Sequence, residues 1–276
     1  PVARPALRAV EVNGTTLHFR LLGDSGPPVV FIHGSLGDIG SWTAQDTAFA
    51  RRYRVLVYSR RYHPPNPQVV DRQVYSPKLH AEDLAALLLR LNLSPAHIVG
   101  SSYGAYIALV MAQEHRGLVR SVVLAEPPVF PLLTGSQTGD SVRRAFYRTT
   151  LDPARAAFAA GDSVGALRLV VEGFDDLPPA ARARFLAHAF ELRLELLAER
   201  QLYFPDISCA ELRRLTVPVL LLRGQRSPPM FQLISNELAR CLRTETHVTI
   251  PGAGHVMHAA NPMYYNQVVL RFLASH

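Results

Sequence analysis

Lysine is almost missing from this chain. Lys78 is the only one in 276 residues, so the net charge of +7 is carried by arginine. A basic protein can be a nucleic-acid binder. Here, however, the arginines come as scattered pairs (Arg51-Arg52, Arg60-Arg61, Arg143-Arg144, Arg213-Arg214) with no dense block. They read as an arginine-rich surface, and no nucleic-acid partner is expected. Cysteine is scarce too: Cys209 and Cys241 lack a CxxC spacing and imply neither a disulfide framework nor a zinc site. They read as free thiols. No apolar run approaches a membrane span, the longest being Ala105 to Ala112, so no membrane partner is expected. HExxH, P-loop and GxGxxG-after-strand motifs are absent, which gives metal, nucleotide and dinucleotide chemistry no support. The chain starts Pro1-Val2-Ala3-Arg4-Pro5, without an initiator Met or an apolar signal core. A cytoplasmic monomer or homodimer is the expectation, although a segment removed before Pro1 would leave no trace.

What is present is ordered. With 48% hydrophobic and 18% charged residues the composition is that of a globular domain with a sizeable core. Alternation around Asn13-Gly14 predicts an opening β-hairpin over Ala6–Leu22. Val29–Ile32, Arg54–Tyr58, His97–Gly100, Ser121–Ala125, Val217–Leu222 and Thr246–Ile250 read as buried strands. Helical patterns cover Trp42–Tyr53, Lys78–Leu91, the Ala- and Leu-rich stretch from Tyr103, Met230–Leu242 and Pro262–Ala274. Between Glu126 and Arg214 only helical patterns occur: Ser141–Ala160, Ser163–Gly173 and Pro179–Leu202. Alternating strands and helices predict an α/β fold, a mostly parallel sheet with helices on both faces. The interruption predicts an inserted helical cap at 127–214, with 1–126 and 215–276 forming the core domain.

The chemistry centres on Gly100-Ser101-Ser102-Tyr103-Gly104. A strand runs into it and a helix leaves it, which makes Gly-x-Ser-x-Gly a nucleophile elbow with Ser102 exposed at a strained apex. A serine hydroxyl needs a base within hydrogen-bond reach. His255, in the tight loop Pro251-Gly252-Ala253-Gly254-His255 after the last strand, sits at the same carboxyl edge. His258 is its rival. The base in turn needs a carboxylate, and a developing oxyanion needs backbone N–H donors. Tyr103 offers one donor at the helix start, and the turn after His33-Gly34 offers another at Ser35.

These motifs together make the chain resemble the α/β-hydrolases of the capped, single-domain kind, a group that includes esterases, lactonases, carbon–carbon bond hydrolases and cofactor-free haloperoxidases. The resemblance spans nearly the whole length and implies the order nucleophile, acid, histidine. Most members carry the acid in Gly-x-x-Asp after the strand that follows the cap. Here that loop reads Gly224-Gln225-Arg226-Ser227, with Ser227 where aspartate is expected. A minority, including dehalogenase-like and zearalenone-lactonase-like members, carries the acid after the strand following the elbow helix. That position is Glu126, the expected triad acid. A second departure is Ser59-Arg60-Arg61-Tyr62-His63, where members commonly have Asp-x-x-Gly-x-Gly. Epoxide hydrolases and haloalkane dehalogenases of this kind use aspartate at the elbow, and Ser102 argues against both.

The expected activity is hydrolysis of a small-molecule ester or lactone through an acyl-enzyme on Ser102, with no cofactor and no metal. A carbon–carbon hydrolase or perhydrolase would use the same triad, and a hydrolase-like ligand receptor with little turnover is the reading from a different class. Phe130, Leu133, Phe146, Phe190 and Tyr203 in the cap are the expected apolar contacts for the substrate.

Overall fold

A computed structural model describes residues 5–70, 75–199, 204–205, 207–242 and 245–276. Its eight strands are β1 (Arg8–Val12), β2 (Thr15–Leu22), β3 (Pro28–Ile32), β4 (Arg54–Tyr58), β5 (Ala96–Ser101), β6 (Val119–Ala125), β7 (Val219–Gly224) and β8 (Glu245–Ile250). They lie in the order β1-β2-β4-β3-β5-β6-β7-β8. The β1–β2 and β2–β4 pairs are antiparallel and all later pairs parallel. The opening hairpin turns at Asn13 and Gly14, both with positive φ, as a two-residue turn between right-twisted strands requires.

Successive side chains of a strand point to opposite faces, and both faces here are covered. Val30 and Ile32 of β3 pack with Leu84, Leu88, Ala105 and Leu109. Val29 and Phe31 pack on the other side with Trp42, Phe49, Tyr265 and Val269. The first layer is built by α2 (Pro77–Arg90) and α3 (Tyr103–Glu114). The second is built by α1 (Asp46–Phe49) and the C-terminal helix Pro262–Ala274. The expected mostly parallel α/β sheet with helices on both faces is therefore the fold, and no helix among the described residues is long and apolar enough to cross a membrane.

Several predicted elements take a different shape. Trp42–Tyr53 is not one helix but a 3₁₀ turn (Ile39–Trp42) and the short α1. The break lets both Trp42 and Phe49 reach the Phe31 ring, at 4.9 and 5.1 Å between centroids. The pattern over 141–160 divides into α4 (Gln137–Phe146), a π turn (Tyr147–Leu151) and α5 (Asp152–Ala159). Pro153 has no N–H to continue an α-helical ladder, and the Thr149 hydroxyl takes over the Ala145 carbonyl at 2.9 Å. After α6 (Ser163–Val170), the pattern over 179–202 breaks at His188, φ −98° and ψ 6°, into α7 (Pro179–Ala187) and α8 (Ala189–Leu197). Arg155 then caps the end of α8 by donating to the carbonyls of Leu196, Leu197 and Ala198.

Two sequence readings are corrected outright. Arg60 and Arg61 are not surface residues; both side chains are buried. Cys209 and Cys241 are not free thiols but form a disulfide. Cys209 opens α9 (Cys209–Leu212), and Cys241 closes α10 (Pro229–Cys241). These helices flank β7, so residues 32 apart in sequence come within 4.9 Å between Cα atoms. The bridge therefore ties the return of the helical segment to the helix beyond β7.

In the chain-entropy picture, closing a loop of this size stabilises by about 4 kcal/mol. Reduction, or Cys209→Ala with Cys241→Ala, is expected to lower the thermal midpoint by about 10 °C for a domain of this length. Calorimetry with and without reductant checks this; an unchanged midpoint would show that the bridge constrains nothing.

Candidate active site

The elbow is made by close backbone contact. A Cβ on Gly104 would lie 2.3 Å from the Ile32 carbonyl oxygen, and one on Gly100 would lie 2.3 Å from the Gly104 oxygen. Only glycine fits at either place, and the contact presses the start of α3 against the end of β3. Ser102 takes φ 53° and ψ −124°, a strained conformation held by its neighbours. Its amide donates to the Ala125 carbonyl at 2.8 Å, which ties the elbow to the end of β6. Gly34, beyond β3, adjoins the nucleophile: a Cβ there would lie 2.9 Å from Ser102 Cβ.

Glu126 follows β6 directly. It is fully buried and has φ 48°. Its two oxygens are used separately. Oε1 accepts from the Gly224 amide at 2.8 Å, and Oε2 accepts from His255 Nδ1 at 2.7 Å. With Nδ1 engaged, His255 Nε2 is left to act as base. The His255 loop is clasped by the loop after β7, since Gln225 Oε1 accepts from the Gly252 amide at 2.8 Å and the Arg226 amide donates to Ala253 at 2.8 Å. Phe231 of α10 stacks on the imidazole at 3.9 Å and 18° between ring planes. No periodicity singled out Phe231; its place shows only once α10 is seen beside the β8 loop.

The rival histidine is elsewhere. His258 is buried against the Trp42 ring at 4.3 Å, and burial lowers its pKa to about 4, with a smaller contribution from His255. Ser227, at the usual acid position, is buried, and its hydroxyl has no hydrogen-bond partner among the described residues.

Beside the Ser35 turn lies a buried polar group that the sequence marked only as an unusual Ser59–His63 stretch. Arg60 Nε donates to the His33 carbonyl at 3.1 Å, Nη2 to the Gly34 carbonyl at 3.2 Å and Nη1 to the Tyr75 hydroxyl at 3.1 Å. Glu195 of α8 pairs with Arg60 Nη2 at 3.3 Å. Arg61 forms a two-pronged pair with Asp83 of α2, 2.7 Å on each side. Burial first, and the Arg60 charge second, hold His33, His63 and His80 well below the ordinary histidine range.

Four of the five expected substrate contacts, Phe130, Leu133, Phe146 and Phe190, belong to one apolar cluster. Phe130 and Leu133 are buried, and Phe130 packs on Phe146, Tyr147 and Phe204 at 5.4, 5.7 and 4.4 Å. Phe146 and Phe190 are half-buried. Tyr203 lies outside the described residues. Two groups bring three metal-ligand atoms within 4.8 Å of one another: His63, His188 and Glu191, and the more exposed Glu82, Glu114 and His115. In the first group both His188 nitrogens are already engaged, Nε2 with Asp38 Oδ2 at 3.1 Å and Nδ1 with Glu191.

A family profile for the alpha/beta hydrolase fold matches residues 27–262. The uncharacterized hydrolase YraK of Bacillus subtilis is 30% identical over 128 residues, 46% of this chain and 47% of that protein. The chain thus spans about half the length of that relative. Among solved structures, the carboxylesterase CesB of Bacillus subtilis superimposes with a TM-score of 0.77 at 20% identity, covering all of this chain and 93% of its own. Est816, an N-acyl homoserine lactone degrading enzyme, gives 0.76 at 23% identity, covering 96% and 100%. At such identities the likeness is one of fold.

His188, between α7 and α8, holds the helical segment to Asp38 in the turn after β3. Burial alone would lower its pKa, but hydrogen bonds to Asp38 and Glu191 outweigh burial and lift it to about 9. Glu191 is raised by burial, so its proton loss works in the same direction. A group whose folded pKa is raised stabilises fully below its unfolded value, near 6.5 for histidine, and loses that contribution as pH rises through the folded value. The thermal midpoint is expected to fall between pH 7 and pH 10, and to fall less in His188→Gln. Equal slopes in both proteins would show that the latch carries no stability.

Proposed function

Since this chain belongs to the α/β-hydrolase fold family, we propose that it is a serine hydrolase that cleaves a carboxylic ester or lactone. The observation that carries the reading is the Glu126–His255 contact of 2.7 Å at the edge where the Ser102 elbow stands. Ser102 attacks the substrate carbonyl while His255 Nε2 takes its proton, and Glu126 keeps the imidazole in the required tautomer and stabilises its charged form. The amides of Ser35 and Tyr103 hold the oxyanion of the tetrahedral intermediate. His255 then gives its proton to the leaving alkoxide. In the second half-reaction it removes one from water, which attacks the acyl carbonyl, and returns it to Ser102 Oγ as the acyl C–O bond breaks and the acid leaves.

This chemistry needs no cofactor and no metal. The helices between β6 and β7 act as the cap, and an apolar or aromatic group on the substrate meets residues such as Phe146 and Phe190, with Phe130 and Leu133 backing them. The carboxylesterase and lactone-degrading activities of the structural neighbours support esters and lactones as the first substrates to try.

Initial rates on short p-nitrophenyl esters and on lactones test the reading. Ser102→Ala is expected to abolish turnover, a loss of about 10⁶-fold in kcat for serine nucleophiles. Glu126→Gln is expected to lower kcat by about 10³- to 10⁴-fold with little change in KM. Near wild-type activity in Glu126→Gln would mean another acid; surviving turnover in Ser102→Ala would end the serine mechanism. Product analysis on a vinylogous diketone, and bromination in the presence of peroxide, separate the carbon–carbon hydrolase and perhydrolase chemistries. Ligand binding with no product from any substrate would turn the protein into a receptor.

A further inference from the structure

Arg60 lies in the stretch where members of the family commonly have Asp-x-x-Gly-x-Gly, and nothing in the ester mechanism above uses it. Its side chain is wholly buried, with 0% exposure, and so is that of its partner Glu195. A buried guanidinium is retained only where its donors are taken up. Nη1 goes to the Tyr75 hydroxyl, and the others converge on one stretch of backbone. Nε donates to the His33 carbonyl and Nη2 to the Gly34 carbonyl, at 3.1 and 3.2 Å. The Arg60 amide donates to His33 Nε2 at 3.0 Å, so the other imidazole nitrogen carries the proton. That nitrogen, Nδ1, donates to the same Gly34 carbonyl at 2.9 Å. The Gly34 oxygen thus receives two hydrogen bonds, one of them from a cation.

The Gly34–Ser35 peptide is a planar trans unit, so its carbonyl and its N–H point in opposite directions. Fixing the oxygen fixes the direction of the Ser35 N–H, and a charged donor on the oxygen polarises that N–H as hydrogen bonds in series do. Gly34 itself adjoins Ser102. The same guanidinium lies over the Tyr103 ring, 5.3 Å from its centroid, and Tyr103 supplies the second amide. One buried cation therefore touches both segments that carry the proposed oxyanion donors, the Gly34–Ser35 peptide and Tyr103.

We propose that Arg60 is the positioning residue of the oxyanion hole: through the Gly34 carbonyl it orients and polarises the Ser35 amide, and across the Tyr103 ring it braces the start of α3. Glu195, reaching in from α8, balances its charge and holds the guanidinium in that pose. The proposal rests on the serine-hydrolase reading for its kinetic consequence, but its structural consequence stands apart from turnover.

The test uses the full chain labelled with ¹⁵N-serine, as wild type, Arg60→Met and Arg60→Lys; Ser35→Ala assigns the Ser35 amide. In Arg60→Met, kcat on a p-nitrophenyl ester is expected to fall about 10- to 100-fold, less than for loss of an oxyanion donor itself. KM should stay within about threefold, since ground-state binding is untouched. The Ser35 amide proton should move upfield while remote serines such as Ser141, Ser163 and Ser275 stay in place. Arg60→Lys, which keeps the charge, should recover part of both readings. A folded Arg60→Met with wild-type kcat, a loss confined to KM, or an unmoved Ser35 amide would overturn the proposal. If wild type hydrolyses no ester, the serine-hydrolase reading fails, and the Ser35 shift alone decides whether Arg60 acts on that peptide. Should Arg60→Met not fold, Arg60→Lys decides. One ammonium cannot span two carbonyls and Glu195 together, so smaller changes of the same sign are expected and unchanged readings refute it.

Discussion

The approach of Gly104 to the carbonyls of Ile32 and His33 is the contact on which the catalytic edge depends. It leaves no room for a side chain. It therefore sets the distance between the end of β3 and the start of α3, and with it the spacing between the Gly34–Ser35 peptide and Ser102. The left-handed turn at Ser102 follows from the same squeeze, because the chain must reverse within one residue to enter the helix. A second left-handed residue, Glu126, ends the adjacent strand. The Ser102 amide bonded to Ala125 locks the two reversals side by side. Ser102 and Glu126 are thus placed by backbone geometry as much as by side-chain contacts.

Around this edge the protein is held by charge as much as by apolar packing. Arg60 with Glu195, Arg61 with Asp83, and His188 with Asp38 and Glu191 are buried or nearly so. Desolvated pairs of this kind gain little net stability over apolar packing, but removing one partner strands the other at a cost of about 3–5 kcal/mol. Their geometric demand is stricter than that of an apolar interface. Two of the three, Arg60–Glu195 and His188–Asp38, join the strand-end loops to the helices between β6 and β7. Those helices are consequently seated in one register over the sheet.

The strands and the elbow were legible because each rests on a local signal: apolar runs for a sheet covered on both faces, a glycine pair spaced around Ser102, and Asn13-Gly14 for the hairpin. Glu126 was legible by substitution, since Ser227 occupies the position where a carboxylate was due. Helix continuity failed at His188, whereas the helix over 141–160 runs on past Pro153 with one π turn inside it. The disulfide was not legible, because two cysteines 32 residues apart carry no spacing signal and meet only through the packing of α9 and α10 around β7. Arg60 misled for a related reason: arginine defaults to the surface, and its partners Glu195 and Tyr75 lie 135 and 15 residues away. Phe231 against His255 is likewise a meeting of separate elements, α10 and the loop after β8. The expectation of a cytoplasmic protein draws no support from a bridged cysteine pair, which is uncommon in reducing compartments.

The place of Glu126 has a consequence for how such a chain can change over time. Ser102 and Glu126 follow the neighbouring strands β5 and β6, ahead of the helical segment, and His255 comes after it. With Ser227 in place of a carboxylate, the end of β7 offers Glu126 the Gly224 amide and the loop after it clasps the His255 turn. Insertions, deletions or wholesale exchange of the helices between β6 and β7 would leave the Ser102–Glu126 pairing of strands intact. Ser102 and Glu126 would then keep their places at the ends of β5 and β6, while Glu195 and the His255 loop would have to be re-seated around each new helical segment.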